Sequence, residues 1–134
     1  MENEAQPQGK IKSLLIVEDS IIILKRLTVV LHEALPGTEI MCVMKAADAI
    51  NWMDKILPDV VILDLQLPDM NGIEVLKTIR HEHPNTRFII FTNHTAPQIR
   101  SNCLKEGADG FYDKSTEFEK TIDHLLKIHH ESGI

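Results

Sequence analysis

Residues 60–64 read VVILD, four consecutive apolar side chains that end on the carboxylate of Asp64. A short apolar run without alternation is typical of a strand buried on both faces of a parallel sheet. Three further runs of this kind end on polar side chains: LLIV (14–17) precedes Glu18 and Asp19, FIIF (88–91) precedes Thr92, and the weaker GFY (110–112) is followed after Asp113 by Lys114.

Amphipathic segments alternate with these runs, so the sequence predicts an α/β fold of five βα units. Short connections require right-handed crossovers, which give a doubly wound, five-stranded parallel sheet with helices on both faces. Thr95 with Gln98 and Thr116 with Glu119 have the spacing of capping boxes, and Gly107 stands where a helix end needs a positive φ. The predicted strands are 11–17, 38–43, 60–64, 87–92 and 110–112, and the predicted helices are 20–35, 46–56, 72–82, 96–106 and 115–130.

Composition sets the broad class of the protein. With 134 residues, 43% hydrophobic and 25% charged, the chain is long enough for one globular domain, predicted over 11–134 after a flexible lead-in at 1–10. The net charge of -6 argues against direct binding to nucleic acid. No apolar stretch approaches the roughly 18 residues of a membrane span, which favours a cytoplasmic protein. Cys42 and Cys103 lack metal-site spacing and are expected to be buried free thiols.

The carboxyl ends of parallel strands meet at one edge of a sheet, where ligands bind. Glu18, Asp19 and Asp64 should therefore share one cleft, in which their mutual repulsion calls for a cation. Oxygen ligands suit Mg²⁺, with Mn²⁺ as a possible substitute. A carboxylate can be the nucleophile that forms an aspartyl phosphate, and Asp64 at the end of the central strand is best placed. Thr92 and Lys114 would contact the phosphoryl oxygens.

The segments IVEDS, VVILDLQLPDMNG, FTN and GADGFYDKS resemble the signature segments of response-regulator receiver domains of bacterial two-component systems. The resemblance covers Ile11 to about His130. Within the family, the chain looks like the stand-alone receivers of the chemotaxis-regulator type. It implies a flavodoxin-like (βα)5 fold with strand order 2-1-3-4-5. It also implies a phosphoacceptor switch rather than an enzyme. Asp64 would receive the phosphoryl group from a sensor histidine kinase or a histidine phosphotransfer protein, and the switch would act on an unidentified downstream protein or through a homodimer.

The resemblance also assigns roles to individual residues. Asp19, Asp64 and the backbone carbonyl of Gln66 would bind Mg²⁺ directly, with Glu18 acting through water. Thr92 and Phe111 would form the switch, with Phe111 turning inward when Asp64 is phosphorylated. Two positions depart from the commonest family pattern. Asn93 replaces a smaller residue after Thr92 and crowds access to Asp64, and Ser115 follows Lys114 where proline is frequent.

The first helix is the candidate docking surface for the kinase. At 100° per residue, Ile22 and Val29 lie opposite the apolar stripe that should face the core, and Lys25 and Arg26 flank them. Two exposed apolar side chains also occur on surfaces that bind nothing. Their position beside the mouth of the Asp64 cleft favours docking, which the family resemblance implies as well.

Other readings remain open at this point. The chain could be a receiver fragment of a longer regulator or a degenerate receiver that serves as a scaffold. A phosphohydrolase of the haloacid-dehalogenase type would need an acid two residues after the nucleophile, where Gln66 stands and cannot deliver a proton. A flavodoxin-like cofactor site is disfavoured because Glu18 and Asp19 would repel a phosphate. The pairs His81 with His83 and His129 with His130 lack zinc-site spacing and are expected to be solvated.

Overall fold

The computed structural model describes residues 11–131, so the lead-in predicted at 1–10 lies outside the described residues. Strands and helices alternate throughout, as the sequence predicts, and their bounds differ from the predicted ones by at most three residues. The elements are β1 (Ser13–Val17), α1 (Ile21–Ala34), β2 (Glu39–Val43), α2 (Ala46–Ile56), β3 (Val60–Leu63), α3 (Gly72–Glu82), β4 (Arg87–Thr92), α4 (Pro97–Lys105), β5 (Gly110–Asp113) and α5 (Phe118–Glu131).

The five strands form one parallel sheet in the order β2-β1-β3-β4-β5. This confirms the predicted flavodoxin-like (βα)5 fold. The strands β1, β3 and β4 are the apolar runs that the sequence singled out, and they occupy the three central positions. The four residues of β3 and four of the five in β1 are fully buried. A strand covered on both faces must be apolar on both, which is why these runs do not alternate.

Two hydrophobic cores lie on opposite faces of the sheet. Leu15 and Val17 point to the face covered by α2, α3 and α4, whereas Leu14 and Ile16 point to the face covered by α1 and α5. The period of two along a strand assigns alternate residues to the two cores. The α1 residues Leu27 and Leu31 are fully buried in the second core, as the predicted apolar stripe requires.

Helix starts differ in whether a side chain caps them. Ser20 caps α1 by accepting a bond from the Ile23 amide, 3.3 Å away. Both predicted capping boxes are wrong. The cap position of α4 is Ala96, which makes no side-chain bond, and α5 begins at Phe118, two residues after Thr116. The predicted positive φ of Gly107 is confirmed at +97°.

The cysteines only partly match expectation. Cys103 is fully buried beside β5, but Cys42 on the edge strand β2 is exposed, with its sulfur 3.7 Å from the Thr28 hydroxyl. The prediction of a buried Cys42 is therefore wrong, because β2 borders the sheet and is covered incompletely. Within residues 11–131, no helix has the length and apolar character that crossing a bilayer demands.

Candidate functional site

The candidate site lies at the carboxyl edge of the sheet, where the sequence placed it. The residues that follow the strands continue the ladder of backbone hydrogen bonds. The Glu18 amide donates to Val43 (3.0 Å), the Asp64 amide donates to Val17 (3.0 Å) and the Lys114 amide donates to Thr92 (3.0 Å). The sheet itself therefore fixes the backbone at each functional position. Side-chain oxygens of Glu18, Asp19 and Asp64 all lie within 4.8 Å of one another, so the predicted cluster of three carboxylates is present.

Lys114 joins two of these carboxylates. Its Nζ donates to Glu18 Oε1 at 2.8 Å and Oε2 at 3.0 Å, and to Asp64 Oδ2 at 2.9 Å. Little of the three side chains reaches solvent: Glu18 and Asp64 expose 2% of their side chains and Lys114 exposes 9%. The sequence placed Lys114 near the reacting group, but it did not predict this bridge to Glu18, which lies 96 residues away along the chain.

Burial and neighbouring charges oppose each other in this cluster. Removal from water raises the pKa of Glu18, and the nearby Asp64 carboxylate adds to the rise, while the bonds from Lys114 and the Ser20 amide counteract it. Burial alone would lower the pKa of Lys114, but its hydrogen bonds to Asp64 and Glu18 outweigh that and raise it. Lys114 therefore stays charged, and its charge keeps two buried carboxylates in one small volume.

The donor set fits a small divalent cation. Three carboxylates and one ammonium leave two negative charges at the site. Asp19 is exposed and makes no ion pair with Lys114, so its oxygens face the solvent side of the cluster. Mg²⁺ binds through one or two protein carboxylates and keeps several waters, which suits a cluster with one open side. The side chain of Gln66 is also exposed, and its backbone carbonyl remains a predicted ligand.

The loop after β3 is fixed at both of its ends. The Gln66 amide donates to Asp64 Oδ1 at 3.1 Å, so both oxygens of the Asp64 carboxylate accept a hydrogen bond. Further along, Asp69 accepts bonds from the first two amides of α2, Ala46 (2.8 Å) and Ala47 (3.0 Å). These bonds lower the pKa of Asp69. This contact between the loop and α2 was not predicted from the sequence.

The predicted switch residues are both buried. Thr92 is fully buried, and its Oγ1 accepts a bond from the His94 amide at 3.1 Å. Phe111 is only 3% exposed, so its ring is buried in this structure, and its movement on phosphorylation stays a prediction. Arg100 on α4 contacts this residue twice. Its Nη1 donates to the Phe111 carbonyl at 3.0 Å, and its guanidinium carbon lies 5.4 Å from the centroid of the Phe111 ring.

The predicted docking face on α1 is exposed. Ile22 is 79% exposed and Val29 is 62% exposed, and Ile21, which the sequence analysis did not include, is 56% exposed. Lys25 is exposed as expected. Arg26 is exposed too, but its guanidinium stacks 3.7 Å from the Phe118 ring centroid and thereby ties α1 to α5.

Two of the histidines that were expected to be solvated are not. His83 exposes 16% of its side chain, and its Nε2 lies 3.0 Å from Asp54 Oδ1. With Glu82 these residues form a second group of potential metal ligands, at the end of α3 and away from the Asp64 cluster. His129 Nδ1 accepts a bond from the Ile11 amide at 3.0 Å. Sequence spacing carries no signal for either contact, because each joins distant segments.

Comparison with known proteins gives consistent matches. The family described as response regulator receiver domain matches residues 14–126. The luminescence regulatory protein LuxO of Vibrio campbellii is 32% identical over 94 residues, which are 68% of this chain and 21% of LuxO. The probable transcriptional regulatory protein TcrX of Mycobacterium tuberculosis is 28% identical over 126 residues, which are 94% of this chain and 53% of TcrX. The chain thus spans between a fifth and about half of these curated relatives.

A solved structure agrees with the sequence matches. The DNA-binding response regulator of the LuxR family from Staphylococcus aureus superposes with a TM-score of 0.80 and 27% sequence identity, and the match covers 90% of this chain and 100% of that chain.

Proposed function

The chain belongs to the response regulator receiver domain family, and from that premise we propose that it is a phosphoacceptor switch in which Asp64 carries the phosphoryl group. The observation that carries the proposal is the bridge that Lys114 forms between Glu18 and Asp64 beside the exposed Asp19. This cluster combines a carboxylate nucleophile, a fixed cation and carboxylates for a divalent metal. The donor would be a phosphohistidine of a sensor histidine kinase or a histidine phosphotransfer protein.

In the proposed reaction, an oxygen of the Asp64 carboxylate attacks phosphorus, and the bond from phosphorus to the donor's imidazole nitrogen breaks. The imidazole leaves with the electron pair of that bond and takes up a proton. The Asp64 carboxylate is already held by two hydrogen bonds, from Lys114 Nζ (2.9 Å) and the Gln66 amide (3.1 Å). The Lys114 ammonium is positioned to neutralise charge on the transferred group, and Thr92 supplies a hydroxyl donor.

Asp19, Asp64 and the Gln66 carbonyl would hold Mg²⁺, with Mn²⁺ as a substitute and Glu18 contributing through water. When bound, the ion would neutralise charge that develops on the phosphoryl oxygens. Lys114 alone leaves two negative charges at the cluster. An incoming phosphodonor is itself an anion, so its approach without a divalent ion is electrostatically unfavourable.

The residues of the site fit a phosphoacceptor switch better than they fit a phosphohydrolase. Gln66, two residues after the nucleophile, presents an amide that cannot serve as a general acid. Slow loss of the phosphoryl group to water would end the signal.

The same proposal includes a cytoplasmic setting, an unidentified downstream protein and dimerisation of the phosphorylated chain.

Intact-mass spectrometry with acetyl phosphate tests the assignment. The wild-type chain should gain one phosphoryl group in the presence of Mg²⁺ or Mn²⁺, and a chelator should abolish the gain. Asp64→Asn should not be labelled, because the amide nitrogen and oxygen are poor nucleophiles. Equal labelling of Asp64→Asn would refute the assignment of the acceptor, and labelling that is insensitive to the chelator would refute the metal requirement.

Kinase docking is proposed for the exposed α1 surface around Ile22 and Val29, with Lys25 and Arg26 at its margin. Changing Ile22 and Val29 together to serine should slow phosphotransfer from the cognate kinase by about tenfold or more, since burial of such side chains contributes roughly 1–3 kcal/mol. Labelling by acetyl phosphate, which needs no docking, should be unchanged. If both donors slow alike, the helix matters for folding and the docking proposal fails. Leu104→Ser on α4, which is 43% exposed, is the matched control.

A further inference from the structure

The first turn of α2 is capped by a side chain from another loop. Lys45 stands at the cap position but makes no side-chain hydrogen bond to the helix. Instead, Asp69 Oδ1 accepts a bond from the Ala46 amide at 2.8 Å, and Asp69 Oδ2 accepts one from the Ala47 amide at 3.0 Å. A carboxylate is favoured there because the start of a helix carries a partial positive charge. Both oxygens of Asp69 are thus bound to the backbone of α2.

The loop that carries this cap begins beside the proposed phosphoacceptor. The Gln66 amide donates to Asp64 Oδ1 at 3.1 Å, and Gln66 pairs with Asn71 in an antiparallel bridge. The bridge closes the base of the loop and leaves residues 67–70 as its tip. Asp69 attaches that tip to α2, so one short loop is fixed to the Asp64 carboxylate at its base and to a helix at its tip.

The tip of the loop is fixed by few buried contacts. Pro68, Asp69 and Met70 are exposed, and Leu67 is half-buried. Exposed segments with little packing open more readily than the core, so hydrogen bonds carry much of their order. The direction of a backbone carbonyl is set by the chain around it, because the peptide group is planar and cannot turn by itself. The cap on α2 therefore restricts the direction of the Gln66 carbonyl, which is the predicted metal ligand in this loop.

We propose that Asp69 is a positioning residue for the metal site, which fixes the loop to α2 and so holds the Gln66 carbonyl where it can bind Mg²⁺. The inference rests on the proposed function, because it takes that carbonyl as a ligand. Such a coupling acts in both directions. An ion bound to the carbonyl limits the movement of the loop, so it also strengthens the cap. Mg²⁺ binding and the order of the first turn of α2 are therefore linked through Asp69.

Isothermal titration calorimetry with Mg²⁺ alone tests the positioning role. Asp69→Ala should raise the dissociation constant about 2- to 30-fold, which corresponds to loss of a helix cap of about 0.5–2 kcal/mol. Asp69→Asn keeps a side-chain oxygen for the amides and should restore most of the affinity. This variant also separates the effect of the cap from that of the charge, because the asparagine side chain is neutral.

Asp59→Ala is the matched control. Asp59 is also an exposed carboxylate that accepts bonds from two backbone amides, Lys12 at 2.8 Å and Ser13 at 3.2 Å. It lies just before β3, at the opposite edge of the sheet from Asp64. The variant loses the same charge and the same number of hydrogen bonds without touching the loop, so its affinity for Mg²⁺ should match that of the wild type.

Amide hydrogen exchange at Ala46 and Ala47 gives a second measurement that does not depend on phosphorylation. Saturating Mg²⁺ should slow the exchange of both amides at least about twofold in the wild type, as the reciprocal of the effect of the cap on affinity. A cap that only stabilises α2 would give the same exchange rates with and without the ion. In Asp69→Ala, both amides should exchange faster and lose their dependence on Mg²⁺.

Three outcomes would overturn the positioning role. Asp69→Ala could bind Mg²⁺ as tightly as the wild type, Asp69→Asn could bind it no better than Asp69→Ala, or exchange at Ala46 and Ala47 could be insensitive to the ion. Thermal denaturation of each variant ensures that a weaker affinity is not a folding defect. Failure of the proposed function has a different signature, because the wild type itself would then bind no Mg²⁺ or take up no phosphoryl group from acetyl phosphate.

Discussion

Replacing Gly72 by alanine should displace the backbone that carries Asp64. A Cβ at this position would lie 2.4 Å from the Leu65 Cα and 2.6 Å from the Asp64 carbonyl oxygen. Carbon atoms pack at about 3.5–4.0 Å, so relief needs a movement on the order of 1 Å. The colliding atoms belong to the backbone and cannot rotate away. A hydrogen bond from the Gly72 amide to the Leu65 carbonyl, 2.9 Å long, holds the two segments together.

The magnitude follows from two opposing effects. Forcing a methyl group into a packed site costs about 1–3 kcal/mol. Alanine favours the first turn of α3 over glycine, which offsets up to about 1 kcal/mol of that. From the middle of these two ranges, a net loss of about 1–2 kcal/mol is expected in the free energy of unfolding, measured by urea denaturation. Labelling of Asp64 by acetyl phosphate should fall more steeply, because a misplacement of about 1 Å can reduce a reaction rate by about a hundredfold.

Gly37→Ala is the matched control, since no heavy atom lies within 4 Å of a Cβ at that position. It should leave both the stability and the labelling rate near the wild-type values. If Gly72→Ala matches Gly37→Ala in both measurements, the loop accommodates the methyl group and the close approach does not position Asp64. If only stability falls, the loop moves without carrying the carboxylate with it.

Three further perturbations follow from the contacts described. Burial raises the pKa of the Cys103 thiol to about 11, so iodoacetamide at pH 8 should alkylate the exposed Cys42 and spare Cys103 until urea unfolds the chain. Burial lowers the pKa of His124, so the unfolded chain binds the proton more readily, and stability is lost as the pH falls below 6.5. Between pH 7 and pH 5.5, His124→Asn should lose less free energy of unfolding than the wild type in urea denaturation. An equal loss in the two proteins would refute this role of His124. Arg100→Ala removes the bond to the Phe111 carbonyl and should expose that ring, which ¹⁹F NMR of fluorophenylalanine-labelled protein would detect as a shifted Phe111 resonance; an unshifted resonance would count against the contact.

The fold could be predicted because its signal is local. The runs that became β1, β3 and β4 are continuous and apolar, and only a strand covered on both faces needs that pattern. Their spacing then required parallel crossovers. The same topology brought Glu18, Asp64, Thr92 and Lys114 to one edge without any knowledge of side-chain contacts. The order of the strands alone was therefore enough to predict that these four residues lie together.

The remaining details depend on contacts between distant segments. Asp69 caps α2 from another loop. Arg100 on α4 donates to the Phe111 carbonyl, and Lys114 reaches Glu18 across the sheet. The capping-box spacing at Thr95 failed because Pro97 already suits the first helical position, so that α4 starts without a side-chain cap. A distant loop thus caps α2, whereas a local proline accounts for the start of α4.

The bridge from Lys114 to Glu18 has a consequence for the order in which the protein folds. The strands β1 and β5 are separated in the sheet by β3 and β4, a span of about 14 Å at roughly 4.8 Å per strand. Until β5 docks, the acidic ends of β1 and β3 lie side by side with no ammonium between them. We expect β5 to complete the sheet and to relieve this repulsion in a single cooperative event. The site would then form late in folding, because it depends on a contact between residues 96 positions apart.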